Sequence, residues 1–255
     1  MPKVKSEKKL TAKSPAESKT LPVVPTSAGG AVPTQHVATY KPPTLELKTP
    51  GLALFQARRG SGKTHLMKYL TKLLASGHKF DWVRVITPTA FNGEWKQCVG
   101  NDFVHEELDE DWLMDLLDRQ ADSVERKKQN RGLLILDDAL GAVRFNSPIW
   151  TRISASSRHY NITVWISTQH LFKLPPVVRV NCDYIFCLGI QPARTIKALY
   201  EEYSPSAGQR TLTEQELGDF LTKSRENYGC CLFDVAKATV HIIRAPALVR
   251  FRIQQ

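Results

Sequence analysis

The sequence predicts an α/β domain, with a mostly parallel sheet covered by helices on both faces. Three observations predict it. Short strands that are apolar on both faces alternate with helix-periodic segments, the pattern of a buried parallel sheet. A loop containing Gly60 and Gly62 joins the first of those strands to a helix, and a later apolar strand ends in two acids, Asp137 and Asp138.

Each element follows in order. Residues 51–56 form the first strand, and 63–75 a helix whose Leu66, Met67, Leu70, Leu73 and Leu74 recur at helical spacing. Residues 82–87 form a second strand, stopped by Pro88. Residues 109–128 read as an amphipathic helix with an acidic start and a basic end, as the helix dipole favours. Three more strands follow at 133–136, 162–166 and 184–188, with helices at about 147–158 and 192–203. Residues 228–235 and 239–244 pair as a C-terminal β-hairpin turning at 236–238. Trp150, Trp165, Tyr184 and Phe186 fall on apolar faces and are read as core.

The chain has 255 residues, and 35 Lys+Arg against 25 Asp+Glu give a formal charge of +10. Half of that excess lies in residues 1–48, which hold eight lysines, three acids and seven prolines. This stretch has too little apolar material to offset its ordering entropy, so 1–48 is expected to be a disordered basic tail and 49–255 the domain. The tail is either a solubilising leader or a polycation for an acidic partner. No apolar run approaches the roughly 20 residues that cross a bilayer, and the Met1-Pro2-Lys3 start predicts no signal peptide or membrane insertion. Five cysteines (98, 182, 187, 230 and 231) lack metal-ligand spacing, which fits a reduced intracellular setting.

The segment 57–64, Ala57-Arg58-Arg59-Gly60-Ser61-Gly62-Lys63-Thr64, has the strand–loop–helix context of a Walker A phosphate loop. Its backbone N–H groups and the helix start make an anion cradle, extended here through His65. Lys63 is placed to reach the β/γ oxygens of ATP, and the Thr64 hydroxyl to ligate Mg²⁺. Ala57 replaces the usual first glycine. The strand ending in Asp137 and Asp138 is the Walker B counterpart: Asp137 holds Mg²⁺ through its water shell, and Asp138 either polarises the attacking water or caps a turn. Gln169 ends the strand at 162–166, where it either reads the γ-phosphate or satisfies strand-end backbone.

Together these segments resemble a viral genome-packaging ATPase of the poxvirus, giant-virus and virophage kind, within the FtsK–HerA superfamily. The resemblance rests on residues 60–64, on Asp137-Asp138, and above all on 158–169 (Arg158-His159-Tyr160-Asn161 leading into Ser167-Thr168-Gln169) and 174–183. It implies a single RecA-like domain, ATP hydrolysis coupled to translocation of double-stranded DNA, a homo-oligomeric ring of five or six subunits, and viral capsid proteins as partners. It further implies action inside an infected host cell, in cytoplasm or nucleus, or association with the virion. Such motors need an arginine from a neighbouring subunit, for which Arg158 is the first candidate, Arg152 the next and Arg179 a third. DNA-contact candidates are Lys223, Arg225, Lys237, Arg244, Arg250 and Arg252, each equally a solvated surface charge. His159 has no metal partner at useful spacing and is read as structural.

Other readings are a P-loop nucleotide or small-molecule kinase, kept open by Arg144, Arg152 and Arg158, and a nucleotide-gated scaffold without turnover. A GTPase is disfavoured because no Asn-Lys-x-Asp element exists to read guanine, and length excludes a two-lobed helicase.

Overall fold

A computed structural model describes residues 39–40, 45–77, 79–207 and 210–245. Its strands are β1 (Thr39–Tyr40), β2 (Leu52–Ala57), β3 (Trp82–Ile86), β4 (Val104–His105), β5 (Gly132–Leu136), β6 (Ile162–Thr168), β7 (Tyr184–Leu188), β8 (Ser206–Ala207), β9 (Arg210–Thr211), β10 (Gly229–Asp234) and β11 (Thr239–Arg244). The helices are α1 (Lys63–Ser76), α2 (Lys96–Val99), α3 (Glu110–Glu125), α4 (Pro148–Ser156), α5 (Pro176–Val180), α6 (Ala193–Tyr203) and α7 (Glu214–Ser224).

All these strands join one sheet in the order β4-β3-β5-β6-β2-β7-β10-β11-β8-β9, with β1 beside β11. From β4 to β7 every pairing is parallel. The C-terminal hairpin β10–β11 extends the sheet by running antiparallel to β7. The predicted α/β class, parallel sheet and hairpin are therefore all present.

Alternation along each strand builds two cores, because successive side chains point to opposite faces. Leu52 and Leu54 of β2 face α3, α4, α6 and α7, together with Leu134, Leu136, Val164 and Ile166. Ala53, Phe55 and Ala57 face α1, whose Leu66, Met67, Leu70 and Leu74 cover that side. Phe55 stacks on Phe186 with centroids 4.5 Å apart and meets Trp165 at 5.5 Å, so aromatic packing ties three adjacent strands under α1. Trp150, Trp165 and Phe186 are fully buried, as expected of core residues.

Helix starts obey local chemistry. Asp109 caps α3 by accepting from the backbone N–H of Asp111 and Trp112, while Thr213 and Glu216 form a reciprocal capping box on α7. The cysteines are all buried and unbridged, and burial raises the pKa of each thiol.

The expected boundary after residue 48 needs correction. Leu45 and Leu47 are buried in the α1-side core, with Glu46 and Lys48 exposed between and after them. Thr39 and Tyr40 pair with Ile242 and Ile243 of β11. The apolar alternation at 45–47 closes the α1-side core, so these residues belong to the domain. Residues 1–38, where most of the expected tail falls, lie outside the described residues, as do Arg250 and Arg252.

Candidate active site

Strands β2, β5 and β6 run parallel and β6 lies between the other two, so their carboxyl ends open on one edge of the sheet. The loop at residues 58–62 follows β2. Gly60 and Gly62 lie at φ 76° and 86°, and a Cβ on either would meet nothing within 4 Å. Both glycines therefore supply the left-handed turns that lead into α1, with open space above them. Gly62 is the N-cap of α1 and offers no side chain to its first N–H groups, which remain available to an anion. Gly189, just after β7, packs against the loop: it lies at φ 68°, which favours glycine, and a Cβ there would approach the Ser61 Oγ to 2.7 Å. Arg58, Arg59 and His65 are exposed around the loop, and Ala57 is a buried end of β2.

Lys63 is 5% exposed, and its Nζ donates to Asp138 Oδ1 at 2.6 Å and to the Ala57 carbonyl at 3.4 Å. Asp138 sits in left-handed backbone at φ 53°, which turns its carboxylate toward the loop lysine. Gln169 Nε2 donates to Asp138 Oδ2 at 3.4 Å, while the Gln169 carbonyl accepts from Gln56 at 3.1 Å. The Gln169 side chain thus reaches the acid, and its backbone carbonyl is closed by Gln56 at the strand end.

Asp137 is 4% exposed and receives three donors: Thr64 Oγ1 at 2.9 Å, Trp95 Nε1 at 2.8 Å and Ser167 Oγ at 2.7 Å. Ser167 also accepts from the Asp138 backbone N–H at 2.8 Å, so one hydroxyl orients both acids. The Thr64 hydroxyl and Asp137 carboxylate form an all-oxygen pair suited to a small hard cation such as Mg²⁺, with water and phosphate as its other ligands. The residues present therefore fit that ion.

Trp95 and Ser167 are the contributors that sequence reasoning missed. Ser167 stood inside the strand-end segment and was recoverable as its last inward hydroxyl. Trp95 comes from a loop after β3 with no motif to flag it. Its position is held by Lys68, which bonds Glu94 at 2.8 Å and lies over the Trp95 ring at 5.6 Å.

The candidate arginines lie apart from this cluster. Arg158 is exposed in a turn after α4 that leads into the start of β6, the edge opposite the phosphate loop. Seven residues of β6 separate the two edges by about 20 Å, so Arg158 does not reach the Lys63 of its own chain. Arg152 bonds Tyr160 Oη at 2.8 Å and stands 4.0 Å from Asp118. Arg179 is held by Glu202 and by the Leu174 carbonyl, and is 12% exposed. Lys237 pairs with Asp234 at 2.8 Å. Among the described residues no group of three or more His, Cys, Asp or Glu could hold a metal, and no helix is long and apolar enough to cross a membrane.

Comparison with known proteins places this geometry in context. The family model described as Poxvirus A32 protein matches residues 45–214. An uncharacterized Acanthamoeba polyphaga mimivirus protein, L437, is 31% identical over 196 residues, covering 71% of this chain and 66% of that protein. An uncharacterized protein of Invertebrate iridescent virus 6, 075L, is 26% identical over 154 residues, covering 58% of this chain and 57% of its own length. The chain thus spans less than two thirds of either relative. The fold matches the genome packaging NTPase B204 from Sulfolobus turreted icosahedral virus 2 in complex with AMPPCP, at a TM-score of 0.58 and 19% identity over 78% of this chain and 99% of that one.

Proposed function

Because this chain belongs to the Poxvirus A32 protein family, we propose that it is an ATPase motor that drives double-stranded DNA into a preformed viral capsid. The observation that carries the reading is the convergence of Lys63, Thr64, Asp137, Asp138 and Gln169 on one sheet edge. The likeness of fold to a genome packaging NTPase crystallised with an ATP analogue supports it.

Mg²⁺ held by Thr64 and Asp137 would supply charge neutralisation for the triphosphate. The chain's own residues do the rest. Loop N–H groups and Lys63 bind the triphosphate, while Thr64 and Asp137 offer the oxygen ligands. The incoming phosphates compete with Asp138 for Lys63 and draw the ammonium across. Asp138, released, becomes the acceptor that orients the lytic water, and Gln169 follows because its amide is bonded to that carboxylate. Binding thereby arms hydrolysis, and Gln169 passes the change to β6.

In this reading the domain, which takes in Thr39, Tyr40, Leu45 and Leu47, works in a homo-oligomeric ring of five or six. A neighbour's Arg158 completes each site and contributes about 10³–10⁵ in rate. The partners are double-stranded DNA and capsid proteins, met inside the infected cell or in the virion. The test is the Mg²⁺-dependent ATPase rate of the assembled oligomer with and without double-stranded DNA. Stimulation is expected; an unchanged rate removes the translocase from the reading.

A further inference from the structure

A cavity of about 440 Å³ opens beside the phosphate loop, on the side away from Asp137 and Asp138. Its floor is the loop itself, Gly60 to Gly62, and its walls are Leu66, Leu188, Cys230 and Ile243, all buried on their strands or helix. Tyr228 stands at the rim, 94% exposed. The sheet order explains the placement. The acids and Gln169 come from β5 and β6 on one flank of β2, and the cavity walls come from β7, β10 and β11 on the other. A triphosphate seated on the loop with its γ end toward Asp138 must direct its nucleoside toward this second flank.

Two features of Tyr228 stand out. A large aromatic ring so exposed gains nothing from burial in its own chain. Its backbone lies at φ 57°, a conformation that is costly for a bulky side chain. The chain packs closely at the next residue, Gly229, where a Cβ would collide with the Ser224 carbonyl. Strained backbone of this kind clusters at active sites and ligand clamps. The cavity volume falls within the roughly 300–1,000 Å³ of small-ligand sites.

We propose that the nucleobase of the bound nucleotide occupies this cavity, with the Tyr228 ring as its stacking face. The proposal rests on the phosphate-loop reading above and adds to it the base subsite. The deep walls are aliphatic side chains and one thiol, with no acid, lysine or arginine among the described lining residues, and Ser61 and His65 line the loop side.

The experiment titrates the full chain, with Mg²⁺, against ATP, GTP and inorganic tripolyphosphate. The Tyr228→Gly variant removes the ring and also suits the left-handed backbone, so it retains or gains thermal stability. It is expected to weaken ATP and GTP by about tenfold or more, the order of a lost base–aromatic stack, and to leave tripolyphosphate unchanged. Tyr228→Phe keeps the wild-type affinities. The proposal is overturned if Tyr228→Gly binds ATP as wild type, or if it loses ATP and tripolyphosphate equally. Lys63→Ala serves as the separate control: if it leaves tripolyphosphate binding unchanged, the phosphate-loop reading fails, whatever Tyr228 does.

Discussion

At the scale of single residues, the site depends on groups that no motif names. Ser167 donates to Asp137 and accepts from the Asp138 backbone, and Trp95 fixes the second oxygen of Asp137. Removing either leaves both acids on the chain but lets Asp137 rotate. Partners of this kind typically set ligand affinity by about 10–100-fold. Ser167→Ala and Trp95→Phe are therefore expected to raise the Mg²⁺ concentration for half-maximal ATPase rate by about tenfold or more, read from a metal titration at saturating ATP. Lys63 and Asp138 behave differently because they neutralise each other across 2.6 Å. Lys63→Ala should lose nucleotide affinity and rate together. Asp138→Asn should retain affinity, since it frees the lysine, while the rate falls by about 10²–10³, as single-turnover measurements would separate. The lysine and threonine were legible because a phosphate loop demands fixed spacing in one short segment, and the acids because they end a strand that is apolar throughout. Trp95 was not, since its contact with Asp137 exists only once β3 and β5 lie side by side.

Among elements, the strands and long helices were legible because burial on both faces and helical periodicity leave strong local patterns. Short pieces such as β4, β8, β9 and α2 escaped, being shaped by neighbours rather than by their own sequence. The helix α7 also escaped, although Thr213 and Glu216 carry a capping signature that marks its start. The segment at 45–47 shows how composition misleads. Averaged over a lysine- and proline-rich stretch, its alternation of Leu45, Glu46 and Leu47 disappears, yet both leucines seal the α1-side core. The double variant Leu45→Ala/Leu47→Ala is expected to lower unfolding free energy by about 4–6 kcal/mol, given roughly 2–3 kcal/mol per nearly buried leucine at the low end of such truncations. Urea denaturation followed by circular dichroism would measure it, and a shift under about 1 kcal/mol would return these residues to the tail.

For the whole molecule, two histidines set an acid limit. Burial, with Arg84 nearby, lowers the pKa of His105, and burial lowers that of His241. The unfolded chain takes up these protons near pH 6.5, whereas the folded one does so only at lower pH. Their contribution is thus complete above about pH 7 and is lost as pH falls below about 6.5 toward the lowered folded values. The thermal midpoint should fall between pH 7.5 and 5.5, and less steeply in His105→Gln/His241→Gln. Asp81, held down by its hydrogen bond and charge contact with Arg131, acts only at more acid pH, lost as pH drops through its lowered value. The proposed ring makes a sharper whole-molecule prediction. Lys63→Ala and Arg158→Ala subunits, each inactive alone, should regain ATPase activity when mixed, because an intact phosphate loop on one then meets an intact arginine on the next. No recovery across mixing ratios would dismiss Arg158 as the shared residue.

The five buried cysteines carry one practical consequence. With every native thiol shielded and its pKa raised, little thiolate is exposed to alkylating or fluorescent reagents while the domain stays folded. A single cysteine introduced at the exposed Arg158 edge would then be the dominant reactive sulfur. Dyes attached there would test whether subunits join at this edge, with no native cysteine removed first.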